Sequence, residues 1–265
     1  MEGLPTLPDE LGSVTDIAPL GGGDVARAWQ ARLAGGRTVV VKQTPYDASF
    51  EAEGLRALAA AGAPVPTVLA VETHLLVMDH VTGPPDWEAL GAALAGVHTH
   101  HASRFGWHRD NVIGPLPQAN GWSATWGAFV VERRIAPHLD ALPVEVAKRL
   151  TAAGDGPLPE LLDEHAPPAS LVHGDLWTGN VVGGRWLIDP AVHYADRETD
   201  LAMLTLFGGP PGAFWHGYLD AAPLPDGWER RRPVLQLAPL LVHVRLFGHG
   251  YVPAVIRALD AAGFD

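Results

Sequence analysis

Short apolar runs alternate with glycine-rich breaks over the first eighty residues, a pattern that predicts strands joined by tight turns. Between the third and fourth runs, apolar residues recur every three or four positions across Ser49–Ala61, which predicts an amphipathic helix ended by Gly62 and Pro64. Consecutive strand runs separated by short turns favour antiparallel hairpins. The predicted strands are Val14–Leu20, Val25–Leu33, Thr38–Val41 and Leu75–Met78.

Beyond the turn residues of Thr82–Pro85, the apolar spacing becomes mostly helical. Ser170–Ile188 is the exception, because apolar pairs and glycine breaks there indicate short strands around loops. A β-rich part followed by a helical part predicts an α+β protein with two lobes, residues 1–81 and 82–265. The predicted helices are Trp87–His98, Trp122–Leu139, Val144–Ala153, Thr199–Phe207, Ala213–Ala221 and Pro233–Phe247.

Composition and charge exclude several classes of partner. The chain carries 18 Lys and Arg against 30 Asp and Glu, a formal net charge of −12, which argues against nucleic acid and anionic lipid as partners. It has no cysteine, so thiol chemistry and disulfides are excluded. Apolar runs stay shorter than the ~18 residues of a membrane-spanning helix, and the amino-terminal residues do not form a secretory signal. We therefore expect a cytoplasmic, monomeric protein.

The segment His173–Asn180 carries an Asp and an Asn in a polar stretch between apolar runs, and Asp189 follows the next apolar pair. Kinase-type phosphoryl transfer uses an Asp to orient the attacking hydroxyl, and an Asn and a second Asp to hold Mg²⁺. Asp175, Asn180 and Asp189 satisfy that order and spacing. Asp and Asn are also common in turns, but the combined set favours the catalytic interpretation.

The first lobe offers a second set of candidates. Lys42 is one of only two lysines and ends a strand, and Glu53 lies early in the following helix. A strand Lys paired with a helix Glu directs an ammonium towards nucleotide phosphates in kinase-type lobes. Gly21, Gly22 and Gly23 lie between two strands, where backbone N–H groups can approach phosphate. Each feature is common by itself, so their order ahead of Asp175 carries the prediction.

These motifs together resemble the fructosamine (ketosamine) 3-kinase family, within the aminoglycoside-phosphotransferase-like and protein-kinase-like superfamily. The resemblance covers Ala18–Tyr251 and implies a bilobed protein-kinase-like fold. The matching stretches are GGGDVARAW, VVVKQ, FEAEGLRAL, LAGVHTHHASRFGWHRDNVIGPLPQANGWSATWGAFVVERRIAPHLD, LVHGDLWTGNVV, LIDPAVHYADRETDLAM and LFGHGY.

The resemblance also implies roles for individual residues. Asp175 would be the catalytic aspartate, and Asn180 and Asp189 would bind Mg²⁺. Lys42, paired with Glu53, would contact the phosphates of ATP. The remaining implied roles are a glycine loop over the nucleotide at Gly21, Gly22 and Gly23, an adenine-binding hinge at Met78, Asp79 and Val81, sugar contacts at Trp177 and His243, and a buried acid supporting the catalytic loop at Asp200.

The implied reaction is the ATP- and Mg²⁺-dependent phosphorylation of the sugar 3-hydroxyl of a ketosamine, which leads to deglycation. The ketosamine would be free or carried on a glycated lysine. Two alternatives stay open: a kinase for aminoglycosides, choline or similar amino alcohols on the same fold, and an inactive nucleotide-binding interaction module.

Two arginine clusters are given simpler interpretations. We expect Arg230–Arg232 to be a solvated helix start, and Arg133 and Arg134 to be salt-bridged surface residues on a long helix.

Overall fold

The computed structural model describes residues 6–21 and 26–264, and its amino-terminal part is a five-stranded antiparallel sheet. The strand order is β1-β2-β3-β5-β4, so β3 is the central strand. One helix, α1, connects β3 to β4. The elements are β1 (Val14–Leu20), β2 (Arg27–Leu33), β3 (Thr38–Gln43), α1 (Ser49–Ala60), β4 (Val68–Glu72) and β5 (Leu75–Asp79).

Alternation along β3 divides its side chains between two environments. Val39 and Val41 lie in a small apolar cluster on one face of the sheet, with Ala31 and Val77. Because side chains alternate along a strand, Lys42 projects from the other face. Its register partners are Ala28 on β2 and Leu76 on β5.

The carboxyl-terminal part is mainly helical, with short strands between the helices. It begins after the turn residues that follow β5, and its longest helix is α8. The helices are α2 (Trp87–Val97), α3 (Trp126–Phe129), α4 (Val144–Gly154), α5 (Pro157–Asp163), α6 (Glu198–Leu206), α7 (Gly212–Ala221), α8 (Trp228–Phe247) and α9 (Val252–Ala262). The strands are β6 (His101–Ala102), β7 (Asn111–Ile113), β8 (Leu116–Gln118), β9 (Ala169–Val172), β10 (Val181–Val182), β11 (Trp186–Leu187) and β12 (His193–Ala195).

Apolar packing connects the two parts of the chain. Leu55 and Leu58 of α1 share one buried cluster with Leu90 of α2 and Leu201 of α6. A second cluster fills the space among α3–α6, α8 and α9. The division at residues 81 and 82 stays a prediction, and it falls in the connection between β5 and α2.

Two predicted helices differ from the observed ones. The helix predicted over Trp122–Leu139 begins at Trp126, after the Thr125 cap, and becomes a π-helical segment at Val130–Ile135 and a 3₁₀ segment at Ala136–Ala141. The helix predicted to begin at Pro233 begins five residues earlier, at Trp228. Pro233 therefore lies inside α8 and does not start it.

The simpler interpretation of the arginine clusters was wrong for two residues. Arg231 is fully buried, and it donates to both carboxylate oxygens of Glu198, at 2.8 and 2.7 Å. Arg134 is also buried; it donates to the Ala119 carbonyl and lies over the ring of Phe129. Both arginines therefore join separate segments.

Across residues 6–21 and 26–264, none of the helices combines the length and the apolar composition that crossing a bilayer requires.

Helices α2 and α7 approach each other through two glycines. A Cβ on Gly91 would lie 2.2 Å from the Phe214 carbonyl oxygen, and one on Gly217 would lie 2.0 Å from that of Glu88. Gly91→Ala should therefore lower the free energy of unfolding by about 2–3 kcal/mol, because the helices must separate. Gly96→Ala, on the same helix but with open space around it, should instead add about 0.5–1 kcal/mol. Urea unfolding of both variants checks this, and equal effects would contradict the close approach.

Candidate active site

Lys42 is a buried cation held between two carboxylates. Its Nζ lies 2.7 Å from Glu51 Oε2 and 2.7 Å from Asp189 Oδ1. Burial lowers the pKa of the ammonium, but Glu51 and Asp189 outweigh burial and hold that pKa above its ordinary value. The side chain is therefore charged, and it connects β3, α1 and the segment after β11.

The prediction that Glu53 pairs with Lys42 was wrong, because Glu51 takes that position. Glu53 lies two residues further along α1, and consecutive helix positions turn by about 100°. Its carboxylate instead accepts from Trp107 Nε1 at 2.8 Å and lies 3.0 Å from His108 Nε2, with Arg109 on its other oxygen. Glu53 therefore connects α1 to a loop of the second lobe.

Glu51 is the functional candidate that the sequence prediction missed. It is 4% exposed, and its Oε1 has no hydrogen-bond partner. Burial raises the pKa of this carboxyl to about 7, although Lys42 acts in the opposite direction. A signal was present in the sequence, because Glu51, Leu55 and Leu58 share one face of α1 by their spacing. A charge on the apolar face of a helix marks a paired, buried group.

The segment after β9 is positioned by Asp200 of α6. The two carboxylate oxygens of Asp200 accept from the backbone N–H of His173 at 2.7 Å and of Gly174 at 2.9 Å, and His98 Nε2 lies 3.2 Å away. Burial would raise the pKa of Asp200, but the bond from His98 and the charges nearby outweigh it, so the pKa is lowered. The contacts agree with the predicted role of Asp200 as a buried supporting acid.

His173 fixes the same segment through its ring. Nε2 lies 2.9 Å from the carbonyl oxygen of Ile188, which can only accept, so Nε2 carries the proton. Burial lowers the pKa of the ring, which is neutral, and Nδ1 accepts from the backbone N–H of Asp175 at 3.3 Å. One imidazole therefore sets the distance between Asp175 and the strand that leads to Asp189.

Asp175 and Asn180 face each other across a single 3₁₀ turn. Asn180 Nδ2 donates to the Asp175 carbonyl at 2.9 Å and approaches Asp175 Oδ2 at 3.3 Å, which leaves Asn180 Oδ1 as an acceptor. Burial and the nearby Asp189 raise the pKa of Asp175 to about 7. A carboxyl with a pKa near neutral can take a proton from a hydroxyl.

Two unusual backbone conformations place this segment against Asp189. Asp189 has φ 57°, a left-handed conformation, which Asp tolerates better than most residues. Gly174 has φ 83°, and a Cβ there would lie 2.1 Å from the Ala191 carbonyl oxygen. Position 174 therefore requires glycine for both conformation and space.

A cleft of about 600 Å³ runs from the sheet to Asp175 and Asp189. It brings together nearly all the predicted site residues that the structure describes; Gly22 and Gly23 lie outside the described residues. At the predicted hinge, Arg37 donates to both carboxylate oxygens of Asp79, at 2.8 and 2.9 Å. The predicted residues that line the cleft are Gly21, Lys42, Met78, Asp79, Val81, Asp175, Trp177, Asn180, Asp189 and His243.

Trp177 and His243 lie at one side of this cleft, in a row of aromatic rings. Trp177 is 39% exposed and packs edge-on against Phe207, whose ring lies 4.7 Å from that of His243. His243 Nδ1 donates to the Pro239 carbonyl at 2.7 Å, and burial lowers the pKa of the ring, so the ring is neutral. The row offers flat, uncharged surface beside Asp175.

A second cavity, of about 300 Å³, also reaches Asp175, and we name it the inner cavity. Four residues line both spaces: Ile113, Asp175, Met203 and Val242. Apolar side chains such as Trp126 and Leu235 form one part of its wall. The polar side chains in the wall are Asp110, Gln118, Arg133, Arg134, His138, His193 and Thr199. Separate ligands in the inner cavity and in the cleft could therefore both reach Asp175.

Comparisons with known proteins agree over nearly the whole chain. A model of the fructosamine kinase family matches residues 5–262. The chain belongs to the fructosamine kinase family. A probable ketoamine kinase of Thermus thermophilus is 39% identical over 254 residues, covering 92% of this chain and 93% of that protein. A crystal structure of a proposed fructosamine-3-kinase from Thermobifida fusca is 37% identical, with a TM-score of 0.86 and coverage of 95% and 94%.

Membership in the fructosamine kinase family confirms the predicted class of enzyme, an ATP-dependent small-molecule kinase. The predicted kinase-like fold is confirmed too. A choline/ethanolamine kinase family protein from Mesorhizobium loti shares it at 17% identity, with a TM-score of 0.64. The roles of individual residues stay predictions, now supported by their position around one cleft.

The raised pKa of Asp175 predicts a pH-dependent stability difference. Between the ordinary carboxyl value of 3.8 and about 7, unfolding lets this group lose its proton, so the wild-type protein loses stability as the pH rises through that interval. Asp175→Asn removes the ionisation and should be more stable by about 1–2 kcal/mol at pH 8, with no such gain at pH 4.

Urea unfolding at pH 4, 6 and 8 measures the difference. Glu145→Gln is the control, because Glu145 is 85% exposed and its replacement should change stability little at any pH. An equal gain for Asp175→Asn at pH 4 and pH 8 would show that Asp175 does not resist ionisation in the folded state.

Proposed function

We propose that the protein transfers the γ-phosphoryl group of ATP to the 3-hydroxyl of a ketosamine, a sugar joined through C1 to an amine. The observation that carries this proposal is the position of Asp175, which lines both the cleft of Lys42 and Asp189 and the inner cavity. A phosphoryl donor and an acceptor hydroxyl can therefore meet at one carboxylate. Family membership supports the ketosamine as acceptor.

In this proposal, Asp175 orients the acceptor hydroxyl and takes its proton. The sugar oxygen then forms a bond to the γ-phosphorus, and the bond from that phosphorus to the bridging oxygen breaks, leaving ADP. The Lys42 ammonium stabilises negative charge on the phosphates. Positioning and electrostatics supply most of the rate, because the protein forms no covalent bond to the substrate.

Asn180 and Asp189 suit the predicted Mg²⁺. Asn180 Nδ2 is committed to Asp175, so Oδ1 is the atom left to face the cleft, and Asp189 adds a carboxylate. Oxygen donors of this kind are the protein ligands that Mg²⁺ prefers. When bound, the ion would neutralise charge on the phosphates of ATP.

The remaining predicted residues complete the proposed site. Met78, Asp79 and Val81 would contact adenine, with Gly21–Gly23 near the phosphates. Trp177 and His243 would contact the acceptor at its outer side. Phosphorylation at O3 would then destabilise the adduct and permit deglycation. We propose that the enzyme acts as a monomer on free ketosamines and on glycated lysine.

The test measures ADP release with Mg²⁺-ATP and N-α-protected fructosyl-lysine or ribulosyl-lysine. Turnover should fall by a factor on the order of 10³ or more in Asp175→Asn, because proton transfer and hydroxyl orientation are both lost, while ATP affinity is kept. The product phosphate should map to O3. Asp189→Asn should lose turnover and also bind Mg²⁺-ATP more weakly.

Turnover that persists in Asp175→Asn would contradict its catalytic role. Turnover with aminoglycosides or choline but not with ketosamines would show a different acceptor on the same fold. Nucleotide binding without turnover of any acceptor would identify an inactive binding module.

A further inference from the structure

Residues 105–121 form a connection between α1 and the catalytic part of the molecule, and we name this segment the strut. It contains the β7–β8 hairpin, which had not been predicted from the sequence. Its residues line both the cleft that holds Lys42, through Val112 and Gly114, and the inner cavity, through Pro117 and Gln118. The strut therefore borders both of the spaces that meet at Asp175.

One end of the strut holds the outer side of α1. Glu53 Oε1 accepts from Trp107 Nε1 at 2.8 Å and lies 3.0 Å from His108 Nε2, and Arg109 pairs with the second oxygen. Arg109 Nη2 also donates to the Ser49 carbonyl at 3.2 Å, and its guanidinium lies 4.7 Å from the centre of the Phe50 ring. The first turns of α1 are thus fixed at several points.

The other end of the strut is anchored in the second lobe. Asn111 Nδ2 donates to the Val192 carbonyl at 3.0 Å, and Asn111 Oδ1 accepts from Asn120 Nδ2 at 2.7 Å and from Gln118 Nε2 at 2.9 Å. Arg134 Nη2 donates to Asn120 Oδ1 at 2.6 Å. These amides and the Arg134 guanidinium are buried. Satisfied buried networks are rigid, so the strut cannot easily follow a displacement of α1.

Glu51 and Glu53 face different sides of the same helix. Positions two apart in a helix point about 200° away from each other. The strut holds the Glu53 side, while Lys42 and Asp189 meet the Glu51 side. Gly54 lets α1 approach the segment after Asp189 closely, because a Cβ there would lie 2.9 Å from Pro190 Cγ.

We propose that the strut is a positioning device, in which Trp107 and Arg109 act through Glu53 to hold α1 where Glu51 keeps Lys42 directed at the nucleotide. Glu53 touches no reacting group and is a positioning residue. Loss of the Glu53 contacts should lower kcat more than the loss of a partly exposed ion pair usually does. The reason is that a small misplacement of a phosphate-binding group such as Lys42 costs much of the rate. This inference rests on the proposed role of Lys42 at the phosphates of the nucleotide.

A double-mutant cycle tests the route from Glu53 to Glu51. The variants are Glu53→Ala, Glu51→Gln and the two together, with kcat and the Kd for Mg²⁺-ATP measured for each. We expect Glu53→Ala to lower kcat on the order of tenfold and Glu51→Gln on the order of a hundredfold, with the double variant no worse than Glu51→Gln alone. Glu53→Gln should lose less than Glu53→Ala, because its amide oxygen still accepts from Trp107.

The strut proposal would be overturned by wild-type kcat in Glu53→Ala, and also by a double variant whose loss equals the product of the single losses. A multiplicative loss in the double variant is what a general loss of stability would give, so the thermal midpoint is recorded with every rate. Glu145→Ala, at an exposed carboxylate paired with Lys148, is the control and should keep wild-type kcat.

Measuring the Kd for the nucleotide tests the strut independently of which acceptor the enzyme phosphorylates. Fluorescent nucleotide titration needs no ketosamine, so the same coupling should be seen if the acceptor proves to be another amino alcohol. Wild-type nucleotide affinity and turnover in Glu51→Gln would overturn both the Lys42–Glu51 assignment and the strut.

Discussion

The placement of one ammonium group inside the protein determines most of the candidate site. Removing Lys42 from water costs several kcal/mol unless anionic partners compensate, and a single carboxylate would leave the position of the charge loosely defined. Glu51 and Asp189 come from α1 and from the segment after β11, so pairing requires both to be docked against β3. The alternation of β3, the close approach at Gly54 and the left-handed turn at Asp189 all serve that contact.

Burial and neighbouring charges explain the perturbed carboxyl at the centre of the site. Burial raises the pKa of Asp175, and so do the negative charges of Asp189 and Asp200, while the hydrogen bond from Asn180 and the charge of Lys42 oppose the shift and are outweighed. Asp200 itself is ionised because His98 and the backbone N–H groups of the catalytic segment bind it. One fold thus keeps one aspartate ionised for support and leaves another able to exchange a proton near neutral pH.

The sequence was most informative where chemistry restricts residue type and spacing together. Asp175, Asn180 and Asp189 could be assigned from their order, and the structure brings them to one cleft with Lys42. The choice between Glu51 and Glu53 depended on which side of α1 meets the sheet. Both residues lie in the first turns of α1, and only Glu51 shares the helix face of Leu55 and Leu58.

Long-range pairing accounts for the other errors. Three consecutive arginines at a helix start predict solvated side chains, and nothing near Arg231 in the sequence points to Glu198, the partner that buries it. The β7–β8 hairpin has strands of three residues each, too short for a period to be recognised. Its position is determined by Asn111 and Asn120, whose partners only the folded chain brings near.

The backbone after Asp189 carries a consequence for control of the enzyme. β12 pairs with β9 on one side, and Tyr194 forms a bridge with Gly106 on the other. Protein kinases use the corresponding region as a loop that phosphorylation orders, and that loop needs free length to change shape. Here the chain is committed to strand pairing at once. Pairing on both sides therefore leaves this segment little free length for a change of shape of that kind.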